Sequence, residues 1–132
     1  MLTPFRRILY VDDDKDSREL VEFVIKRLSR NYEITTVGSS AEALALLNFQ
    51  PFDLYILDYR LAEMNGVELC RRIRQTDVST PVMFCTAMSN QSAKDNAMNA
   101  GANDYLVKPI DIDIIIETVE KLLRSKENSL SV

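Results

Sequence analysis

The segment Ile8-Leu9-Tyr10-Val11-Asp12-Asp13-Asp14 is a short apolar run that ends in three consecutive carboxylates. Four apolar residues between charged neighbours are too few for a helix and are typical of a strand buried on both faces. Directly afterwards, over residues 16–30, apolar residues recur at the spacing of one face of a helix. The segment therefore predicts a β-strand that is followed by an α-helix.

The same alternation continues along the chain. Asp16 with Glu19 has the spacing of a capping box, with Asp14 as the alternative N-cap, and Ser39 with Glu42 repeats the box. Further strands are predicted at 32–37, 52–57, 82–86 and 104–107, and further helices at 39–47, 66–74, 90–100 and 111–124. Five βα units predict an α/β fold, a doubly wound parallel sheet with helices on both faces.

Two segments carry weak packing signals. The helix predicted at 90–100 offers only Ala93, Ala97, Met98 and Ala100 as an apolar face, so we expect it to be weakly anchored. Residues 125–132 are polar and lack periodicity. We therefore predict one domain over residues 1–124 and a disordered C-terminal tail at 125–132.

Composition excludes several classes of function. The 132 residues suit one domain, and 16 basic against 20 acidic residues give a net charge of −4, which argues against direct nucleic-acid binding. Histidine is absent, which removes histidine-based catalysis, and Cys70 and Cys85 have no metal or redox spacing. The apolar runs are too short to cross a membrane, and the first residues show no secretory signal. We expect a cytoplasmic protein without membrane contact.

Polar residues follow four of the predicted strands. Asp12, Asp13 and Asp14 follow the first, Asp58 the third, Thr86 ends the fourth, and Lys108 follows the fifth. Ligands of open parallel sheets bind outside the carboxyl ends of the strands. We therefore expect these side chains to converge on one edge of the sheet.

This set of residues suits phosphoryl transfer. Clustered carboxylates repel one another unless a cation lies among them, and Mg²⁺ accepts carboxylates together with water and phosphoryl oxygens. Lys108 and Thr86 could bind further phosphoryl oxygens, and Asp58 is the candidate nucleophile, which would form an acyl phosphate. Each residue alone could equally be a helix cap, a strand end, a core hydroxyl or part of a turn.

Four ordered blocks carry a family resemblance over about residues 6–124. They are ILYVDDD (8–14), LDYRLAEMNG (57–66), PVMFCTA (81–87) and GANDYLVKPI (101–110). Together they resemble the signature blocks of the CheY-like receiver domains of two-component response regulators. The resemblance implies a flavodoxin-like (βα)5 fold with strand order 2-1-3-4-5.

The resemblance also implies roles for the site residues. Asp58 would be the phosphoacceptor, taking the group from a phosphohistidine of a sensor histidine kinase or a histidine phosphotransfer protein. Asp13, Asp58 and the backbone carbonyl of Arg60 would hold Mg²⁺, and Asp12 would act mainly through water. Lys108 would bind the phosphoryl group.

In the family, a switch and two rate-tuning positions accompany the site. Thr86 would move toward the phosphoryl group and Tyr105 would follow inward, which remodels the surface of the fourth helix, fifth strand and fifth helix. Arg60 and Met88 stand where side chains border the path of the attacking water, and we expect them to lengthen the lifetime of the acyl phosphate. Ala62 stands where receivers usually carry proline, which suggests a less rigid loop.

Three alternatives remain at this point. A degenerate receiver would serve only for protein interaction, but the acidic residues, Asp58 and Lys108 are all present. A phosphatase of the haloacid dehalogenase type needs a second aspartate where Arg60 stands, and a nucleotide-binding flavodoxin-like domain needs a glycine-rich loop after the first strand. Both are disfavoured.

The expected protein is a signalling switch rather than an enzyme, with weak intrinsic phosphotransfer and autodephosphorylation. We expect a single-domain regulator without an output domain, or a receiver excised from a larger protein. It would act on a downstream protein target, as a monomer or a phosphorylation-dependent homodimer.

Overall fold

Five apolar runs form the strands of one sheet. The computed structural model describes residues 5–130, and the side chains of residues 5–125. The strands are β1 (Arg6–Val11), β2 (Tyr32–Val37), β3 (Leu54–Leu57), β4 (Val82–Thr86) and β5 (Asp104–Val107). They are all parallel and lie in the order β2-β1-β3-β4-β5, which confirms the predicted fold class and strand order.

A helix follows each strand. The helices are α1 (Lys15–Leu28), α2 (Ser40–Leu47), α3 (Gly66–Thr76), α4 (Gln91–Asn99) and α5 (Ile112–Leu130). Ser39, Asn65 and Asn90 cap α2, α3 and α4, each accepting a backbone N–H with its side chain. None of the helices within the described residues is long and apolar enough to cross a membrane.

The sheet separates two apolar clusters because successive side chains of a strand point to opposite faces. Ile8 and Tyr10 of β1 pack with residues of α1 and α5, whereas Leu9 and Val11 pack on the face that carries α2, α3 and α4. The strand centres are therefore buried on both faces, and the polar residues that follow the strands lie at the edge.

Several boundaries differ from the sequence prediction. Asp14, and not Asp16, caps α1, because its carboxylate accepts both the N–H and the hydroxyl of Ser17. β3 begins at Leu54 rather than at residue 52.

The end of α5 also differs. The helix continues past the expected end at Arg124 to Leu130, where the prediction was a tail without structure. Residues 125–130 include no glycine or proline, so nothing in their backbone chemistry stops the helix. Residues 131 and 132 of the predicted tail lie outside the described residues.

Candidate functional site

Backbone pairing continues beyond the strand ends and brings the predicted residues together. The N–H of Asp58 donates to the carbonyl of Val11 at 2.9 Å, and the N–H of Lys108 donates to the carbonyl of Thr86 at 2.8 Å. Asp12 is likewise tied to β2 by its N–H, which donates to the carbonyl of Val37 at 3.1 Å. Since Leu57 of β3 also pairs with Phe84 of β4, the carboxyl ends of all five strands lie side by side.

Three carboxylates form a cluster at this edge. Asp12, Asp13 and Asp58 each offer a carboxylate oxygen, and these oxygens lie within 4.8 Å of one another. Asp12 is fully buried, Asp58 is nearly so, and Asp13 is exposed. Oxygen ligands of this kind, partly open to water, fit a hard divalent cation such as Mg²⁺.

Asp14 is not part of this cluster. Its carboxylate accepts hydrogen bonds from the N–H and the hydroxyl of Ser17 at the start of α1. These hydrogen bonds lower the pKa of the exposed Asp14. Of the three consecutive aspartates, two therefore lie in the site and the third is a helix cap.

Lys108 is the cation of the site. Its Nζ lies 2.6 Å from Oδ2 of Asp12 and 3.5 Å from Oδ2 of Asp58. Burial lowers the pKa of Lys108, but the hydrogen bond and the attraction to Asp12, together with the attraction to Asp58, outweigh burial and raise the pKa. The ammonium group is therefore charged at neutral pH and faces both carboxylates.

Asp58 lies directly after β3, and its carboxylate is bonded to the loop that follows. Its Oδ1 accepts the N–H of Arg60 at 3.2 Å. Burial is the largest influence on the pKa of Asp58 and raises it, and the charge of Asp12 raises it further. A hydrogen bond with Thr86 and the charge of Lys108 lower the pKa, but the net effect is a raised pKa. A raised pKa reflects a carboxylate that is short of compensating charge.

A chain of contacts leads from Thr86 to Tyr105. The Oγ1 of Thr86 accepts the N–H of Met88 at 3.3 Å, and the hydroxyl of Tyr105 donates to the carbonyl of Met88 at 2.7 Å. The Tyr105 ring is buried and stacks on Phe84 with ring centroids 5.8 Å apart. The loop after β4 is thus bonded to both predicted switch residues.

The two predicted rate-tuning residues contact each other. The Nε of Arg60 lies 2.9 Å from the Sδ of Met88. The contact joins the loop that follows Asp58 to the loop that follows Thr86. Sequence spacing does not reveal this pairing, because it depends on how the two loops approach in space.

Two residues of the site were missed in the sequence. A Cβ at Gly66 would lie 2.0 Å from the carbonyl oxygen of Asp58, so only glycine lets α3 begin this close to the site. Tyr10 donates its hydroxyl to Asp12. The Tyr10–Asp12 contact could have been predicted from the sequence, because a tyrosine two residues before a carboxylate at a strand end lies on the same face as that carboxylate.

Comparisons with known proteins show the family of this chain. The sequence model of the family described as the response regulator receiver domain matches residues 8–120 of this chain. The chain belongs to the response regulator receiver domain family. This result confirms the resemblance drawn from the four blocks and identifies the chain as a receiver domain of two-component signalling systems.

Curated relatives extend the match. The chain is 32% identical over 123 residues to the nisin biosynthesis regulatory protein NisR of Lactococcus lactis subsp. lactis, covering 93% of this chain and 52% of that protein. It is 36% identical over 117 residues to the response regulator ArlR of Staphylococcus epidermidis, covering 89% of this chain and 52% of that protein. The receiver thus spans about half the length of these relatives.

Solved structures share the whole fold. A CheY-like receiver domain protein from Methanospirillum hungatei JF-1 superposes with a TM-score of 0.89 at 25% identity, covering 95% of this chain and 98% of that one. The receiver domain of an HD domain-containing protein from Pseudomonas fluorescens Pf-5 superposes with a TM-score of 0.91 at 25% identity, covering 99% of this chain and 96% of that one. The receiver is therefore a signalling switch of phosphorelay systems.

Proposed function

We propose that this receiver accepts a phosphoryl group on Asp58 from a phosphohistidine of a sensor histidine kinase or a histidine phosphotransfer protein. The observation that carries the proposal is the position of the Lys108 ammonium between Asp12 and Asp58. A cation in contact with both carboxylates can follow the negative charge when a phosphoryl group joins Asp58. The degenerate-receiver alternative would predict the loss of at least one member of this arrangement.

The transfer is a substitution at phosphorus. A carboxylate oxygen of Asp58 forms a bond to phosphorus while the bond from phosphorus to the histidine nitrogen breaks, and the nitrogen keeps the electron pair. Asp13, Asp58 and the carbonyl of Arg60, with Asp12 acting through water, would hold Mg²⁺, which neutralises phosphoryl oxygens when bound. Lys108 and the hydroxyl of Thr86 would bind the remaining phosphoryl oxygens.

The switch would run from Thr86 to the surface of α4, β5 and α5. A hydrogen bond from the Thr86 hydroxyl to the phosphoryl group would favour the arrangement in which Tyr105 is buried against the Met88 carbonyl. A shift of the population from 1:99 to 99:1 requires about 5.5 kcal/mol. The added charge of roughly −1.5 to −2 beside Lys108 supplies a large attraction for this purpose.

Arg60 and Met88 would slow the loss of the phosphoryl group. Their side-chain contact supports this proposal because it crosses between the loops that border Asp58. A water molecule that attacks the acyl phosphate has to pass these side chains. The double variant Arg60→Asn/Met88→Glu should therefore have a shorter phosphoryl half-life, and an unchanged half-life would overturn this part of the proposal.

The decisive experiment is intact-mass spectrometry after incubation with Mg²⁺ and acetyl phosphate. The wild type should gain one phosphoryl mass, and Asp58→Asn should gain none. Asp16→Asn, which removes an exposed carboxylate from the first turn of α1, is the matched control and should behave as the wild type. Phosphorylation of Asp58→Asn would show that the nucleophile is assigned wrongly.

The partners follow from the same proposal. The phosphodonor would be a protein phosphohistidine, and the output would be binding of a downstream protein target, with no direct contact to nucleic acid or membrane. The active species would be a monomer or a phosphorylation-dependent homodimer in the cytoplasm. Its intrinsic chemistry would be limited to phosphotransfer and slow autodephosphorylation.

A further inference from the structure

Tyr10 brings a phenol hydroxyl to the acidic cluster from inside the sheet. Its side chain is fully buried among apolar residues of the face that carries α1 and α5. The hydroxyl donates to Oδ2 of Asp12 at a distance of 2.5 Å. An otherwise apolar side chain of the core therefore contacts a charged group of the site.

The oxygens of Asp12 are bound by several protein donors. Oδ2 accepts from the Tyr10 hydroxyl and, at 2.6 Å, from Nζ of Lys108. Oδ1 accepts the N–H of Asp14 at 2.9 Å. A buried carboxylate needs such partners, because an unsatisfied buried charge is costly. Two of these donors share a single oxygen, and only one of the two carries a charge.

This sharing affects Lys108. The ammonium lies 0.9 Å closer to the nearest oxygen of Asp12 than to that of Asp58, as the distances of 2.6 and 3.5 Å give. A hydrogen bond from a neutral hydroxyl compensates part of the charge on Oδ2 of Asp12 and so weakens its attraction for the ammonium. Without the hydroxyl, Lys108 would be the remaining side-chain donor to this oxygen among the contacts described above.

The Lys108 side chain is not closely packed on all sides, so it can move between the two carboxylates. Tyr10 and Lys108 both line a cavity of about 430 Å³, together with Ser17 and Cys85 among other residues. The Lys108 side chain also keeps 25% of its surface exposed. Its position is therefore decided by the balance of attractions between the two carboxylates more than by close packing.

We propose that Tyr10 is a positioning residue: its hydroxyl shares Oδ2 of Asp12 with Lys108 and thereby keeps the Lys108 ammonium available to a phosphoryl group on Asp58. The inference rests on the proposed function of Asp58. The hydroxyl is the donor in this contact because an ionised carboxylate oxygen can only accept a hydrogen bond.

The first test is the rate of phosphorylation by acetyl phosphate in Tyr10→Phe, followed by intact mass at several Mg²⁺ concentrations. We expect a rate about tenfold below that of the wild type, which corresponds to the loss of one hydrogen bond to a charged group. The Mg²⁺ concentration at half-maximal rate should change by less than about twofold. The reason is that Lys108 would then compensate the negative charge on Oδ2 of Asp12 that the hydroxyl compensates in the wild type. Tyr55→Phe, a buried tyrosine of β3 outside the site, is the control and should keep the wild-type rate.

The second test separates positioning from general loosening of the fold. Labelling of lysines by an amine-reactive acetylating reagent, read by peptide mass spectrometry, should modify Lys108 more slowly in Tyr10→Phe than in the wild type, because the ion pair with Asp12 has tightened. Exposed Lys15 is the internal reference. A loosened fold would produce the opposite sign, so faster labelling of Lys108 would overturn the proposal.

The wild type offers a test that does not depend on a folded variant. In proton NMR, the Tyr10 hydroxyl should give a downfield, slowly exchanging signal both alone and with Mg²⁺ and beryllofluoride, a stand-in for the phosphoryl group. Absence of the signal in both states would overturn the proposal. A wild type that gains no phosphoryl mass would remove the proposed function together with this inference, whereas equal rates for wild type and Tyr10→Phe would remove this inference alone.

Discussion

Helices α1 and α4 cover opposite faces of the same sheet, and side chains of different size hold them there. α1 buries Val21, Val24 and Ile25, and Ile25 is fully buried. The buried residues of α4 are Ala93 and Ala97. Since the free energy of burial scales with the apolar area removed from water, α4 gains much less from its contact with the sheet.

The weaker contact lies next to Thr86 and Tyr105, the proposed switch residues. The cluster that contains Ala93 and Ala97 also contains Phe84 and Tyr105, and Tyr105 reaches the loop after Thr86 through the Met88 carbonyl. Elements that move in a conformational change come from the less stable parts of a protein. The difference between α1 and α4 therefore indicates which face can respond to a change at Asp58.

The largest expected effect tests this difference through stability. Ile25→Ala should lower the free energy of unfolding by about 3 kcal/mol, because it leaves a cavity in a packed cluster. Ala97→Gly in α4 should cost about 1 kcal/mol, mainly from the backbone freedom of glycine. Urea denaturation of both variants measures the two losses, and equal losses would contradict the comparison.

The second prediction concerns the response of α4 to phosphorylation. In the wild type, phosphorylation should change amide hydrogen exchange in α4 and leave α1 nearly unchanged. Thr86→Ala should still gain the phosphoryl mass but lose most of the change in α4, because the hydroxyl that links the phosphoryl group to the loop is gone. A variant that keeps the full change in α4 would exclude Thr86 as the link.

The third prediction concerns the charge of Asp58, which lies at the edge of the sheet between the two faces. Asp58→Asn should raise the free energy of unfolding of the metal-free protein at pH 7, since it removes a carboxylate whose pKa is raised by burial and by the charge of Asp12. The gain should disappear as the pH falls below 3.8, the ordinary pKa of the group, because wild-type Asp58 is then neutral in the folded and the unfolded states. A gain that persists at low pH would point to a cause other than charge.

The smallest effect distinguishes the two faces at alkaline pH. Burial raises the pKa of Cys85, on the α1 and α5 face, from 9.0 to about 12, and raises the pKa of Tyr55, on the other face, from 10.0 to about 12. Above its ordinary pKa each group ionises in the unfolded state while it stays neutral in the folded state, so stability falls as pH rises. Up to pH 9.5 the Cys85 contribution, below about 1 kcal/mol, should exceed that of Tyr55, because the ordinary pKa of Cys85 is lower.

Two matched variants measure that contribution. Between pH 8 and 9.5, Cys85→Ala should show a smaller loss of unfolding free energy than the wild type, and Tyr55→Phe should show the same loss as the wild type. An equal slope in all three proteins would mean that the Cys85 thiol is accessible to hydroxide in the folded state.

Much of the fold could be predicted because its signals are local. A strand with both faces buried needs a continuous apolar run, and a helix on a sheet needs apolar residues at helical spacing. The errors lie at ends: Asp14 takes the cap that Asp16 also offered, and α5 extends into 125–130. Several residues can satisfy the same backbone groups at a helix end, so the sequence alone leaves the choice open.

Local sequence patterns were enough to predict the succession of strands and helices along the chain and the residues that follow each strand. Which of these residues contact one another depends on the tertiary structure. It joined Arg60 to Met88, brought Tyr10 and Lys108 to one oxygen of Asp12, and required a residue without a Cβ at Gly66. The physical reason is that periodicity reports the face on which a side chain lies, whereas a contact depends on how separate strands and loops approach within a few tenths of an ångström.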